Sequence, residues 1–430
     1  MMRGIGVVAL FAGIASVIRL VQDAAIAWRF GTGPLVDAYY FVVSFTNWPL
    51  GLALSVLTVL VVPVDANLRN GDAVMARRFR AELLGHIGLA AMISLPLAWL
   101  ALDRIAGGSA AGLPATTAAQ AQSGVPGIVG MVPLGIVGAL LSAWFVAAGR
   151  HVVTLLEALP PLVLALLVLS LPGASLFWGT TAGVAVQVIV MAVLLRLAGE
   201  LPRPRLTMSA AAWQRFAQGA IVLLIAQALF TLVPLVDMLF AARLGEGMAA
   251  SLGYAGRLIV GLQALAALAL RRAGLPLLSH LSARTRVAAR RTALRWSWVA
   301  AASGMVVGLA VALLADPIVS LLFERGSFTA SDREQVATLL RYGMLQMPLF
   351  FVAIVLMTAL ASDHARVALA VVAALGLLTK LLANTLLVPL FGLTGLMLAS
   401  AFMHCTAGVV AWLALRHRRN ASDGSRGRPA

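Results

Sequence analysis

The sequence predicts an all-α integral membrane protein, with about twelve transmembrane helices in two six-helix lobes. Three observations predict it. Hydrophobic residues fill 61% of the 430 positions and charged residues only 11%, where a soluble domain carries about 25% charge. Apolar stretches recur along the whole chain, each with the roughly 18 or more residues that a helix needs to cross about 30 Å of hydrocarbon. One charged, glycine-containing motif also occurs twice, about half a chain apart.

In order, the spans are expected at 5–28, 35–63, 82–102, 126–148, 153–172, 177–195, 217–242, 250–270, 297–322, 335–360, 367–388 and 393–415. The mean hydropathy of the chain is +0.97. A closed β-barrel also satisfies every backbone group in lipid, but it needs alternating apolar and polar residues. The continuous apolar runs 162–169 and 368–378 exclude it. The first span follows Arg3 and has the outline of a signal peptide. It lacks a convincing small-residue cleavage site, and eleven spans follow, so it reads as the first helix. Pro160, Pro161, Pro234 and Pro348 fall inside spans and predict broken or kinked helices. The single cysteine, Cys405, lies in an apolar run, so no disulfide framework, metal cluster or cofactor is expected.

A net charge of +16 would suggest a nucleic-acid partner in a soluble chain. Here its placement matters more. Of the 32 Lys and Arg residues, 23 fall in loops on the side of the N-terminus, 5 on the opposite side, and Arg19, Arg257, Arg341 and Lys380 within spans. This bias puts both termini in the cytoplasm. A miscounted span would scramble the alternation, so the bias also supports twelve. Binding of lipid headgroups is the other reading of the basic loops. No nucleic acid is expected.

The motif Asp23-x5-Arg29-Phe-Gly31-x-Gly33 recurs as Asp237-x5-Arg243-Leu-Gly245-x-Gly247, an offset of 214 residues. Tyr40 and Arg77 match Tyr254 and Arg291 at the same offset. Six helices per copy give both copies one orientation, hence a parallel pseudo-two-fold repeat with a cavity between the lobes, as alternating-access transporters have. The expected division is 1–200 for the N-terminal lobe, 201–216 for a cytoplasmic linker, 217–416 for the C-terminal lobe and 417–430 for a basic cytoplasmic tail.

An ionisable group within a membrane costs at least a few kcal/mol and normally has a partner or a task. The candidates are Arg19, Asp23, Asp37, Glu157, Asp237, Arg257, Arg341 and Lys380. Arg19 and Asp23 stand at i and i+4, where they can simply pair. Asp23 with Arg29, and Asp237 with Arg243, are equally compatible with capping at hairpin ends. Arg257, in Tyr254-Ala-Gly-Arg-Leu-Ile, has no acidic residue three or four positions away. Its planar fork suits a phosphate, and a pair with an acid on another helix is the structural alternative. Lys380 precedes Asn384 by one turn. An ion pair with Asp237 or Glu157 and a role as coupling cation both remain open for it. The six histidines are scattered, and no HExxH, GxSxG, P-loop or ATPase domain is present. Pumping would draw on an ion gradient, the membrane potential or the substrate gradient.

The segment from Asp23 to Tyr40, with Asp37 and a following Asn47, resembles the first hairpin of the lipid II flippases (the MurJ/MviN family) of the multidrug/oligosaccharidyl-lipid/polysaccharide exporter superfamily. Tyr254-Ala-Gly-Arg257-Leu with Leu275-Pro276-Leu-Leu-Ser279, the stretch from Leu321 to Asp332, and Leu-Thr-Lys-Leu-Leu-Ala-Asn384 with Pro389 match in the same order. The resemblance covers nearly the whole chain, and the 321–332 stretch is its most distinctive part. It implies two six-helix lobes in a V that open alternately to each side. It implies a flippase of the bacterial inner membrane rather than an enzyme. The implied cargo is an undecaprenyl-pyrophosphate-linked oligosaccharide, with membrane lipids around it and envelope-biosynthesis enzymes as conceivable partners.

By the same resemblance, central arginines hold the pyrophosphate: Arg257, with Arg19 and Arg341 as further contacts. Asp37, Asp23 and Asn47 would gate the cavity or orient these arginines. Asp237, Lys380, Asn384 and Glu157 are the ion-coupling candidates. A sodium site, which some family members have, is disfavoured beside a lysine, because a fixed cation repels the ion. Three family arginines fall on Ser16, Gln22 and Leu50, and the chain has twelve spans where the family has fourteen. These departures favour a relative handling another polyprenyl-linked glycan, such as an exopolysaccharide unit. An ion-coupled drug antiporter of the same superfamily would favour acids over arginines in its cavity. A membrane glycan polymerase or ligase would need reactive residues in a large outer loop, and the longest such loop, 103–125, has only Asp103 and Arg104 as charges. A silent scaffold would not need a repeat with intramembrane charges.

Overall fold

The computed structural model describes residues 2–107, 112–171, 175–208, 213, 224, 227–229, 231–284, 286–362 and 365–424. Much of the seventh expected span (217–242), part of the linker 201–216 with Arg215, residues 108–111 of the longest expected outer loop, His364 and the end of the basic tail lie outside them. Among the described residues every regular element is helical: α1 (Met2–Phe30), α2 (Pro34–Gly71), α3 (Ala73–Gly107), α4 (Ala115–Ile128), α5 (Met131–Ala147), α6 (Val153–Leu156), α7 (Leu159–Ser170), α8 (Leu176–Leu197), α9 (Val233–Ala242), α10 (Met248–Arg284), α11 (Arg286–Leu313), α12 (Ala315–Phe323), α13 (Ala330–Met344), α14 (Met347–Ser362), α15 (Arg366–Phe391) and α16 (Leu393–Gly424).

Nine of the helical segments are long and apolar enough to cross a membrane, and two bent pairs, α4 with α5 and α13 with α14, bring the described spans to eleven. The apolar helix ending at Ala242 lies where the seventh span is expected. Eleven of the twelve expected spans therefore have a membrane-crossing counterpart among the described residues, and the seventh, 217–242, has a shorter apolar helix and lies partly outside them. The prolines explain the breaks. Pro160 and Pro161 open α7, Pro234 opens α9, and Pro348 opens α14. A proline lacks an N–H and crowds the preceding turn, so it is tolerated where a helix starts and breaks one that runs through. The α13–α14 pair bends by 45° and the α4–α5 pair by 49°.

The chain forms two compact units. One gathers Met1–Ala250 with the short segment Leu322–Thr329, and the other gathers Ser251–Leu321 with Ala330–Ala430. In the first unit α2 packs along α5, and small residues allow the approach. A Cβ on Gly135 would fall 2.4 Å from Leu50, and one on Gly124 would fall 2.4 Å from the Phe177 ring. Tyr39, Phe41, Phe79, Trp144 and Phe145 fill its core. In the second unit α15 packs along α16, and α11 along α14. Gly304 meets the backbone of Pro348, where a Cβ would sit 2.7 Å from its Cα. Large apolar side chains such as Trp298, Leu309 and Leu386 remain on the surface, as a lipid-facing bundle requires.

Candidate functional site

The two copies of the sequence repeat each form a glycine-containing turn between two helices, with different backbone angles. After α1, Gly31 adopts φ +61° and Gly33 precedes α2. After α9, Gly245 and Gly247 adopt φ +126° and +82° and lead into α10. In the first unit these turns are joined by one acid. Asp37, in the first turn of α2, is 2% exposed. Its Oδ2 accepts the Gly247 N–H and its Oδ1 accepts the Ala250 N–H at 2.7 Å. A carboxylate thus caps the N-terminus of α10 from outside that helix. The first amides of a helix have no partner within it, and its dipole favours negative charge there.

The distinctive stretch 321–332 sends its loop to the same place. Ser327 donates its N–H to the Trp28 carbonyl at 2.8 Å and its hydroxyl to the Arg29 carbonyl at 3.0 Å. Gly326 has φ +63°, and a Cβ there would lie 2.1 Å from the Trp28 oxygen. A Cβ on Gly31 would lie 2.5 Å from the Ser327 oxygen. Two backbones meet with no room for a side chain on either, which accounts for both glycines in physical terms. Phe328 and Phe323 are buried beside each other with centroids 5.9 Å apart. Thr116 donates its hydroxyl to Glu246 at this same end.

The remaining candidates divide between the units. Asp23 is 1% exposed and accepts the Tyr40 hydroxyl at 3.4 Å. Arg19 is on an exposed face of α1, and its charge acts on Glu157, in the turn between α6 and α7. Arg29 donates Nη1 to the carbonyls of Val168 and Leu171, the latter at 2.6 Å, and so caps the C-terminal end of α7. Asn47 is exposed on α2, and Asp237 is half-buried on α9. These all belong to the first unit. In the second, Arg257 is half-buried on α10. Arg341 forms an ion pair with Asp316, both side chains about two-fifths exposed. Lys380 and Asn384 are fully buried on α15. The Lys380 Nζ donates to the Leu396 carbonyl at 2.8 Å and to the Ser400 Oγ at 2.6 Å. Of the three positions where family arginines are expected but absent, Gln22 is buried and Leu50 packs on Gly135.

The opposite end of the first unit holds a network that the sequence reading counted only as loop charge. Arg80 is 4% exposed and binds Asp65 through two bonds, at 2.6 and 2.5 Å. It also reaches Glu200 at 3.3 Å and lies over the Trp144 ring at 5.3 Å. Glu200 is held as well by Arg69 at 2.5 Å and by Arg150. Glu82 accepts from the Thr207 hydroxyl and the Trp213 indole, both at 2.9 Å. The Arg205 N–H donates to the Ala81 carbonyl at 2.9 Å. The strand-like run after α8 is thereby strapped onto α3. The available signal was the scarcity of acids: with only 16 in the chain, Asp65, Glu82 and Glu200 beside arginine clusters mark ion pairs.

The profile of the lipid II flippase MurJ family matches residues 26–426. A probable lipid II flippase MurJ from Bdellovibrio bacteriovorus is 31% identical over 177 residues, 39% of this chain. The match spans about a third of that relative's length, 32%. Among solved structures, the lipid II flippase MurJ in an inward closed conformation superposes with a TM-score of 0.82, over 95% of this chain and 87% of that one, at 14% identity. An inward-facing multidrug resistance MATE family transporter of the MOP superfamily gives 0.76 over 94% and 98%, also at 14% identity. At these identities the likeness is one of fold. The fold defines the class as a multi-pass helical membrane bundle, and the family match makes that class one of inner-membrane transporters rather than enzymes. Within that class, the chain belongs to the lipid II flippase MurJ family.

Proposed function

We propose that the protein moves an undecaprenyl-pyrophosphate-linked oligosaccharide, lipid II or a related cell-envelope or exopolysaccharide precursor, from the cytoplasmic to the outer leaflet by alternating access. Family membership supports the cargo class. The observation that carries the mechanism is Asp37 on the N-terminus of α10. One buried carboxylate joins the first copy of the repeat to the second. Its bonds are few and polar, and water can replace them, as suits a contact made and broken in each cycle. On the arginine count this is the periplasmic end, and both termini are cytoplasmic. The two lobes, 1–200 and 217–416, belong to the same proposal.

Arg257 would contact the pyrophosphate, with Arg19 as the second cation. The bidentate guanidinium fits a phosphate better than a point charge does. Arg341 would have to leave Asp316 to join them. Asp23 and Asn47 would set the first hairpin, with Asp237, Lys380, Asn384 and Glu157 left for ion coupling. The drug-antiporter reading shares the fold, but the cationic candidates suit an anionic cargo. The test is complementation of cells depleted of their lipid II flippase. Wild type is expected to rescue, and Arg257→Ala at equal expression to fail. No rescue by well-expressed wild type would exclude lipid II and leave the exopolysaccharide cargo. Rescue by Arg257→Ala would remove that arginine from the site.

A further inference from the structure

The second unit contains a charge that packing alone does not require. Lys380 is 0% exposed in the middle of α15, within the membrane-spanning part of the bundle. A buried cation carries a desolvation penalty that an apolar side chain of the same volume avoids. The ammonium is nonetheless held in place by two hydrogen bonds.

On α16 two oxygen acceptors face the ammonium. The α15–α16 turn brings them close: Gly392 has φ +59°, and a Cβ on Gly395 would lie 2.5 Å from the Leu387 oxygen. This presents Leu396 and Ser400, one turn apart on α16, to Lys380. The Ser400 hydroxyl spends its hydrogen on the Leu396 carbonyl at 3.1 Å, which leaves its lone pairs for the ammonium at 2.6 Å. The Leu396 carbonyl accepts from the same ammonium at 2.8 Å. Asn384, also fully buried, is one turn from Lys380 on the same helix face. A main-chain carbonyl and a hydroxyl are neutral oxygen ligands of the type that a dehydrated alkali-metal ion accepts, and the Asn384 carboxamide lies one turn along the helix.

We propose that this is a monovalent-cation site in the second unit that the protein fills with its own lysine ammonium. The chain then carries a tethered cation where an alkali-metal ion would otherwise bind, and its fold needs no sodium. The inference concerns the second unit alone and holds whatever the cargo is.

The test is thermal unfolding of the purified full-length protein in detergent, titrated with NaCl against choline chloride at constant ionic strength. The wild-type midpoint is expected to be the same in both salts. Lys380→Ala removes the ammonium and leaves its oxygen ligands, so its midpoint should fall in choline and rise saturably with sodium, by about 2–5 °C. Lys380→Ala combined with Ser400→Ala should lose that rise. Lys380→Ser, which adds an oxygen, is read in the same way where the alanine variant does not fold in choline. A variant that folds only in sodium supports the site. A saturable sodium response in wild type overturns the proposal. So does a Lys380→Ala variant no more sodium-sensitive than wild type, or failure of both variants to fold in any salt. None of these readouts involves transport, so a wrong cargo assignment leaves them unchanged.

Discussion

Asp37 does at the level of one side chain what the repeat requires of the whole chain. Its carboxylate satisfies two amides at the start of α10, and losing such a cap costs about 1 kcal/mol. That is a factor of about five in an opening equilibrium. Asp37→Ala is therefore expected to raise the rate at which a thiol at the buried Ala250→Cys is labelled, by several-fold, in a Cys405→Ser background. Asp37→Asn keeps an acceptor oxygen and should fall between. Equal labelling in all three backgrounds would show that the carboxylate does not hold this end closed. Gly326→Ala meets two obstacles, a positive φ and an oxygen 2.1 Å from the new Cβ. It should open this end more fully than Asp37→Ala, read by the same labelling at Ala250→Cys.

Among the elements, the run after α8 is the most informative. It is strapped to α3 by Glu82, by the Arg205 amide and by the Glu200–Arg80 pair, and Glu200 also ties it to Arg69 on α2 and to Arg150 after α5. Gly85 makes this possible, since a Cβ there would sit 2.2 Å from the Arg205 oxygen. Gly85→Ala is expected to free the strap, and trypsin should then cut after the exposed Arg203 and Arg205 several-fold faster in inside-out vesicles. Within the same network, Arg80→Leu leaves Asp65 buried without its bidentate partner, a loss of about 3–5 kcal/mol. The double variant Arg80→Leu with Asp65→Leu should recover most of the unfolding midpoint, because an apolar pair pays no desolvation cost. The spans themselves were legible because each is a largely apolar run, and the breaks at Pro160, Pro234 and Pro348 were legible because a proline favours a helix start, although Pro49, Pro63 and Pro96 sit within continuous helices. Asp37 was legible only as an acid in a matching position. Its partners are backbone amides, which carry no residue signature. The Arg80 network was hidden for a related reason: α3 begins at Ala73, well before its apolar run, so a buried arginine looked like a loop charge.

For the whole molecule, the arginine bias and the 214-residue repeat support one proposal, that both termini lie on the cytoplasmic side. A cysteine placed in the tail beyond Arg416 should react with an impermeant reagent only when the cytoplasmic face is accessible. Labelling from outside intact cells would invert the topology and with it the direction of transport. The intramembrane candidates show why a single sequence leaves the site open: Arg19 and Arg257 belong to different compact units, and no spacing in the chain says how distant cations converge on one ligand. The central claim is movement of a lipid-linked glycan, and the most direct measurement is the lipid II that an added periplasmic-side cleaving enzyme can reach in flippase-depleted cells expressing this protein. Restored cleavage with the wild type, lost with Arg257→Ala at equal membrane abundance, is the expected result. Lipid II that remains inaccessible with abundant wild-type protein would contradict lipid II as its cargo.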